Sequence, residues 1–295
     1  MARAAFAPAK VNLFLHVGAP SEGYHPICSL MAFADVGDLL STFDAEALRL
    51  AVAGPFAAEL TAGDDNLVLR AARALIAEAR RPLAPVGLGL EKRLPVASGL
   101  GGGSSDAGAA LRLLRETFDL AVDNDRLEAL AAALGSDGAA CLWGAPAIAE
   151  GRGERLSSAP GLPPLDCVLV RPPVAVSTAQ VYRRFDELGR FGEVARPAMP
   201  DAFEDAVDLA AWLAGQRNDL EAAAVAVAPE VGTALETLAN EPETLLARVS
   251  GSGGTCFALC AGDIEAEGLA ERLEAMAPDW WVQRCRLGGP WPDPA

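Results

Sequence analysis

The sequence predicts an α+β protein of two domains. A chain of 295 residues is long enough for one large or two medium domains with a sizeable core. Strand-like and helix-like periodicities interleave through both halves instead of segregating. Pro160, Pro163 and Pro164 punctuate the middle, which sets the domains at 1–160 and 161–295.

The elements follow in order. Lys10–Val17 alternates as a strand, with Val11, Leu13, Leu15 and Val17 on one face and Lys10, Asn12, Phe14 and His16 on the other. Lys10 and Asn12 therefore point the same way. Leu67, Ala71, Ala74 and Leu75 have helical spacing within 66–80, and Val86–Leu90 is a strand that leads through Lys92 to a glycine-rich loop. Ala107, Leu111, Leu114 and Phe118 mark a helix after that loop, and Asp125–Leu134 a further one. Pro146–Ala149 and Leu165–Val170 read as strands. Ser177-Thr178-Ala179-Gln180 has the form of a capping box and starts a helix at Ser177. Ala206–Leu213, Asp219–Ala226, Val231–Ala239 and Ile264–Met276 read as helices, and Thr255–Leu259 and Trp281–Cys285 as strands.

Composition narrows the class. No run of 18 apolar residues and no unbroken N-terminal apolar region occurs, so neither a membrane span nor a signal peptide is expected. Six cysteines without a C-x-x-C pair read as buried small hydrophobes in a reducing compartment, and the protein is expected to be cytoplasmic. A net charge of −16 argues against broad, nonspecific nucleic-acid binding but leaves room for a phosphorylated small ligand held by local cations and amides.

The stretch Pro95-Val96-Ala97-Ser98-Gly99-Leu100-Gly101-Gly102-Gly103-Ser104-Ser105 is the most informative. Consecutive glycines let backbone approach a ligand closely, and Ser104 and Ser105 are expected to cap the following helix. A helix start there is a preformed polyphosphate site. A Walker A loop would need a lysine that is absent, and a G-x-G-x-x-G count from Gly99 ends on Ser104. A tight strand-to-helix turn without a ligand is the structural alternative.

Pro95–Ala107 resembles the second motif of the GHMP kinases, a superfamily of small-molecule kinases. Ala7–Leu13 resembles the first motif and Val249–Phe257 the third, in the superfamily's order and across nearly the whole chain. The resemblance implies an N-terminal domain of ribosomal-protein-S5-like topology, a ferredoxin-like C-terminal domain, and substrates between them. Lys10–Leu13, Gly23-Tyr24-His25, Asp64–Leu67 and Gly135-Ser136-Asp137 are most similar to the branch that phosphorylates the 2-hydroxyl of a methylerythritol unit carried on cytidine diphosphate. That branch serves non-mevalonate isoprenoid synthesis. Other superfamily members, of mevalonate or homoserine type, and a noncatalytic nucleotide-binding paralogue are the competing readings.

The same resemblance implies the roles. Asp137 matches the catalytic aspartate and Lys10 the lysine beside it; alone, Asp137 would read as a turn aspartate and Lys10 as a solvated strand-end lysine. A carboxylate to take the hydroxyl proton and a cation for the transferring charge are what phosphoryl transfer to an alcohol needs. Asn12, Tyr24, His25 and Tyr182 would hold the acceptor, the aromatics and imidazole reading a cytosine. Without the family, Tyr24 and Tyr182 read as half-buried structural tyrosines. Asn66 and Lys92 would lie by adenine and ribose, and the loop from Pro95 to Ser105 would embrace the phosphates of ATP. Mg²⁺ is expected with ATP, with no protein metal cage. The substrate is a small molecule, and the protein is expected to be a monomer or homodimer. One departure stands out: Gly138-Ala139 replaces the Val-Pro that usually follows the aspartate, which is expected to loosen the backbone aiming Asp137.

Overall fold

The computed structural model describes residues 3–60 and 63–294. Met1, Ala2 and Ala295, which bound the sequence-based domain ranges and the N-terminal stretch read for a leader, lie outside the described residues. The chain is a mixed α+β structure in which one twisted sheet runs through both halves. Its axis is β2 (Ile27–Asp44), an 18-residue strand. β1 (Ala4–Val17) pairs antiparallel with β2 over its whole length. On the opposite edge, β2 is joined in turn by β5 (Ala147–Gly151), by β10 (Trp281–Gly288) and by β4 (Val86–Glu91). β3 (Arg49–Ala53) lies parallel to β4, and β6 (Arg155–Ser158) hairpins onto β5. The C-terminal strands β7 (Leu165–Arg171), β8 (Thr244–Val249) and β9 (Cys256–Cys260) continue the sheet from β10 in the order β10-β7-β9-β8.

Helices cover this sheet. In the N-terminal half they are α1 (Leu67–Ala77), α2 (Gly102–Thr117), α3 (Asn124–Ala132) and α4 (Gly138–Trp143). α5 (Thr178–Leu188), α6 (Ala206–Ala214), α7 (Glu221–Val227), α8 (Pro229–Ala239) and α9 (Asp263–Met276) belong to the C-terminal half. One core packs α1, α2 and α3 on β1, β2 and β4 through Val68, Leu75, Leu88, Leu111 and Leu114. A second packs the C-terminal helices on β7 and β9 through Val181, Phe185, Val231 and Leu269. A third is shared between halves, uniting Val11, Leu13 and Leu30 with Leu169, Phe257 and Leu287.

Most of the expected elements are present, and the differences have physical causes. β2, β3, β6 and α4 carry no clear period: β2 is buried along almost its whole length on both faces, so its run ICSLMAFADVG shows no alternation. The alternation read into β1 holds only as far as Asn12. Register shifts interrupt its pairing between Pro8 and Lys10 and between Asn12 and Phe14. The second shift brings Leu15 to the same cavity as Lys10 and Asn12, and sends Phe14 into the core with Val11 and Leu13. At the first shift Gly37 faces Pro8, and a Cβ there would meet the Ala7 carbonyl oxygen at 2.2 Å. Two capping expectations are corrected. Gly101, left-handed at φ 65°, is the N-cap of α2, so Ser104 and Ser105 stand inside its first turn; Ser105 Oγ donates instead to the Pro8 carbonyl at 2.7 Å. Ser177 does precede α5, but its side chain makes no capping bond.

Candidate active site

A cavity of about 510 Å³ lies between the glycine loop, β1 and the C-terminal half. Pro95–Gly99, Gly101–Ser104, Lys10, Asn12, Lys92, Asp137 and Tyr182, all expected in the site, line it. Leu100 and Ser105 belong to the same loop but are buried behind it, and Asn66 caps α1 by accepting a 2.9 Å bond from the Val68 amide. Tyr24 and His25 lie at the cavity's flank. His25 Nδ1 donates to the Gly18 carbonyl at 2.8 Å and Nε2 stands 3.2 Å from Asp186 Oδ1. Its ring packs against Tyr182, Phe185 and Phe191, with centroids 5.2, 5.7 and 6.1 Å away. Burial pushes the Tyr182 hydroxyl up to about 12.

Lys10 is the centre of a buried chain of contacts. Its Nζ is 3.2 Å from Asp137 Oδ2 and donates to Asn12 Oδ1 at 2.6 Å. The Asn12 amide nitrogen donates to Ser29 Oγ at 2.7 Å, and that hydroxyl donates to the Phe14 carbonyl at 2.6 Å. The chain fixes which end of the Asn12 amide faces Lys10 and gives the ammonium one direction. The Lys10 side chain is 5% exposed, whereas that of Asp137 is 31% exposed, so the carboxylate is the member open to a ligand.

Asp137 is held by backbone. The Gly138 amide donates to the Gly135 carbonyl at 2.9 Å, and the Cys141 amide to the Asp137 carbonyl at 2.9 Å. Asp137 is thus the N-cap residue of the short helix α4. Gly138 is required for it: a Cβ would stand 1.9 Å from the Ala131 carbonyl oxygen.

The glycine loop and the second glycine cluster touch through backbone. A Cβ on Gly99, at φ 79°, would meet the carbonyl oxygens of Ser250 and Gly253 at 2.5 and 2.6 Å. Ser250 Oγ donates to the Gly99 carbonyl at 3.3 Å, and the Asn218 side chain donates to the carbonyls of Val249 and Gly251, each at 2.8 Å. Gly251 comes next to Lys10: a Cβ there would lie 3.7 Å from its Nζ. The N-terminal turn of α2, whose first amides lack intrahelical acceptors, therefore opens on the Lys10–Asp137 pair.

Beneath that turn lies a cluster absent from the sequence reading. Lys92 Nζ contacts Asp38 Oδ2 at 2.5 Å and Asp106 Oδ2 at 2.8 Å, all three being buried. Asp38 Oδ1 also accepts from the amides of Arg93 and Leu94, at 2.6 and 2.8 Å. Asp106 Oδ1 has no partner. Burial pulls the Lys92 ammonium down, but Asp106 and Asp38 together hold it above its ordinary value. Burial pushes the Asp106 carboxyl up to about 8, against the pull of Lys92 and with a further push from Asp38. Asp106 directly follows the glycine loop and was findable; Asp38, mid-strand in β2, has no motif around it.

Comparison with known proteins places this geometry. The family model "GHMP kinases N terminal domain" matches residues 66–145, and "GHMP kinases C terminal" matches 195–279. The chain belongs to the GHMP kinases. It is 61% identical over 289 residues to the 4-diphosphocytidyl-2-C-methyl-D-erythritol kinase of Caulobacter sp. strain K31, covering 97% of this chain and 99% of that one. The kinase of the same name from Hyphomonas neptunium is 49% identical over 96% of each chain. A crystal structure of 4-(cytidine 5'-diphospho)-2C-methyl-D-erythritol kinase superposes with a TM-score of 0.76 at 34% identity, covering 98% of this chain and all of that one. A homoserine kinase from Cytophaga hutchinsonii, at 16% identity, covering 98% of this chain and 94% of its own, and with a TM-score of 0.69, shares the fold.

Proposed function

We propose that the chain transfers the γ-phosphoryl group of ATP to the 2-hydroxyl of 4-diphosphocytidyl-2-C-methyl-D-erythritol, a step of non-mevalonate isoprenoid precursor synthesis. The observation that carries this reading is the Lys10–Asp137 pair, 3.2 Å apart, standing in one cavity with the N-terminal turn of α2. Relatives of that name at 61% and 49% identity over nearly the whole chain support the choice of acceptor.

In this reading Asp137 accepts the proton of the acceptor hydroxyl as its oxygen bonds the γ-phosphorus and the bond to the β-phosphate oxygen breaks, releasing ADP. Lys10, held on one line by Asn12, offsets charge on the transferring group. The amides from Gly101 to Ser104 hold the ATP phosphates, with Pro95–Ser98 and the wall of Leu60 and Leu67 toward the nucleoside. Leu100 and Ser105 support the loop from behind, and Lys92 and Asn66 set its floor and flank. Asn12, Tyr24, His25 and Tyr182 make the acceptor wall.

Mg²⁺ belongs to this reading as the ion carried by ATP. It would be coordinated mainly through phosphates and water. Bound there, the ion would neutralise charge developing on the phosphates. We also read residues 1–160 and 161–295 as the two domains, and the protein as cytoplasmic, monomeric or homodimeric, with no nucleic-acid partner. No helix among the described residues is long and apolar enough to cross a membrane.

The test is ADP release with ATP, Mg²⁺ and the cytidine-diphosphate acceptor, beside mevalonate and homoserine. Turnover of that acceptor alone is the expected result, and Asp137→Asn should lower kcat by about 10²- to 10⁴-fold while nucleotide binding persists. An undiminished kcat in that variant would remove Asp137 from the base role. Binding of ATP and CDP with no turnover would make the chain a noncatalytic paralogue.

A further inference from the structure

Three cations line the cavity, and two are already neutralised. Lys10 is paired with Asp137, and Lys92 with Asp38 and Asp106. The third is Arg152. Among the described residues no carboxylate forms an ion pair with its guanidinium, in a chain whose net charge is −16. The guanidinium carbon lies over the Tyr24 ring, 3.8 Å from its centroid. Stacking of this kind uses the flat face of the group and leaves its N–H edge directed outward.

The position of Arg152 is set by backbone. It occupies the turn between β5 and β6, where Gly151 and Gly153 have φ of 74° and 111°. A Cβ on Gly153 would meet the Ser136 carbonyl oxygen at 3.0 Å, so the turn is pressed onto the segment that carries Asp137. The Arg152 amide donates to Glu154 Oε2 at 2.6 Å and ties the turn to itself. Arg152 thus stands beside the proton acceptor and against the aromatic wall, and it is the turn of α2, from another element, that offers amides to ATP.

We propose that Arg152 is a specificity residue that binds the diphosphate of the acceptor, its fork pairing with phosphate oxygens. The proposal rests on the reading that the acceptor carries a cytidine diphosphate. A carboxylate partner would compete for that anion, and none is there. The group between the nucleoside and the reacting hydroxyl is doubly anionic, and Arg152 is the cation free to meet it between Tyr24 and Asp137.

Competitive inhibition by CDP and by cytidine, measured against the acceptor in wild type, Arg152→Gln and Arg152→Lys, tests this. Arg152→Gln should weaken CDP and raise the acceptor KM on the order of tenfold, with cytidine inhibition and the KM for ATP changed by less than about twofold. Arg152→Lys should recover part of the CDP affinity, keeping the charge without the planar fork. Equal weakening of CDP and cytidine would reduce Arg152 to a wall of the base pocket and overturn the proposal. So would unchanged CDP inhibition, whether kcat falls, which would assign Arg152 to the transferring phosphoryl group, or stays. If wild type were inhibited by neither CDP nor cytidine, the acceptor reading itself would fail, and that result appears before any variant is made.

Discussion

Asp106 places a buried carboxyl under the glycine loop, with one oxygen on Lys92 and the other without a hydrogen-bond partner. Two carboxylates share one ammonium there, and Asp38, which also accepts two amides, is the better furnished. The proton therefore belongs on Asp106, in line with a carboxyl raised to about 8. In the unfolded chain an aspartate titrates near about 3.9. Between those values the folded state holds a proton that the unfolded state lacks, so this group's stabilisation is complete at low pH and is lost as pH rises toward 8. Denaturation midpoints of wild type and Asp106→Asn, taken at about pH 5.5 and about pH 8.5, should show the variant gaining on wild type at the higher pH. A gap that does not change with pH would refute the assignment. Removing the cation is a different matter. Lys92→Met leaves the Asp38 charge uncompensated and should cost about 3–5 kcal/mol of stability, read by chemical denaturation. Of this residue-level detail, Lys10, Asn12 and Asp137 were legible because they sit in motifs. The Asp38–Lys92–Asp106 cluster was not, since three residues spread over 69 positions meet only through the sheet.

At the scale of the element, the glycine loop is more constrained than a flexible phosphate cradle would be. Gly99 faces two carbonyl oxygens of the second glycine cluster, so Gly99→Ala adds both a left-handed backbone cost and a collision. It should lower stability by about 1–3 kcal/mol and raise the KM for ATP, measured by thermal melting and steady-state kinetics. Gly138→Val, which restores the commoner residue after the aspartate, should lower both stability and kcat, because its side chain would enter the Ala131 carbonyl. Sequence periodicity found α1, α2, α6 and α8 because each buries one stripe of a helix. It passed over β2 and α4 because burial on every side removes the alternation on which such reading depends. In β1 the period was visible and misled, since a register shift reverses the faces after Asn12 and no glycine or proline in Asn12-Leu13-Phe14 announces it.

Across the whole molecule, the sequence made the α+β class and the two-part organisation readable, whereas it held no sign that one sheet serves both parts. β10 returns from the C-terminal end to pair with β2 at Leu287↔Ala34 and Gly288↔Phe33, and a shared core lies beneath the join. The two family-model segments are therefore not two folding units on a tether. Heat unfolding should be a single calorimetric transition, with van't Hoff and calorimetric enthalpies in agreement; two resolved transitions would contradict it. Strand order depends on contacts between residues some 250 positions apart, which propensity and periodicity do not encode.

The contact between the two glycine clusters bears on how such a protein can change over evolutionary time. Gly99 packs directly on the main-chain carbonyls of Ser250 and Gly253, and the Ser250 hydroxyl donates to its carbonyl. A relative's C-terminal half grafted onto this N-terminal half would have to match that backbone surface to within a few tenths of an ångström before any side chain could be adjusted. Recombination between family members is thus penalised at this seam. New acceptor preferences are more accessible by point changes on the turns that face the cavity without crossing it, of which the one carrying Arg152 is an example.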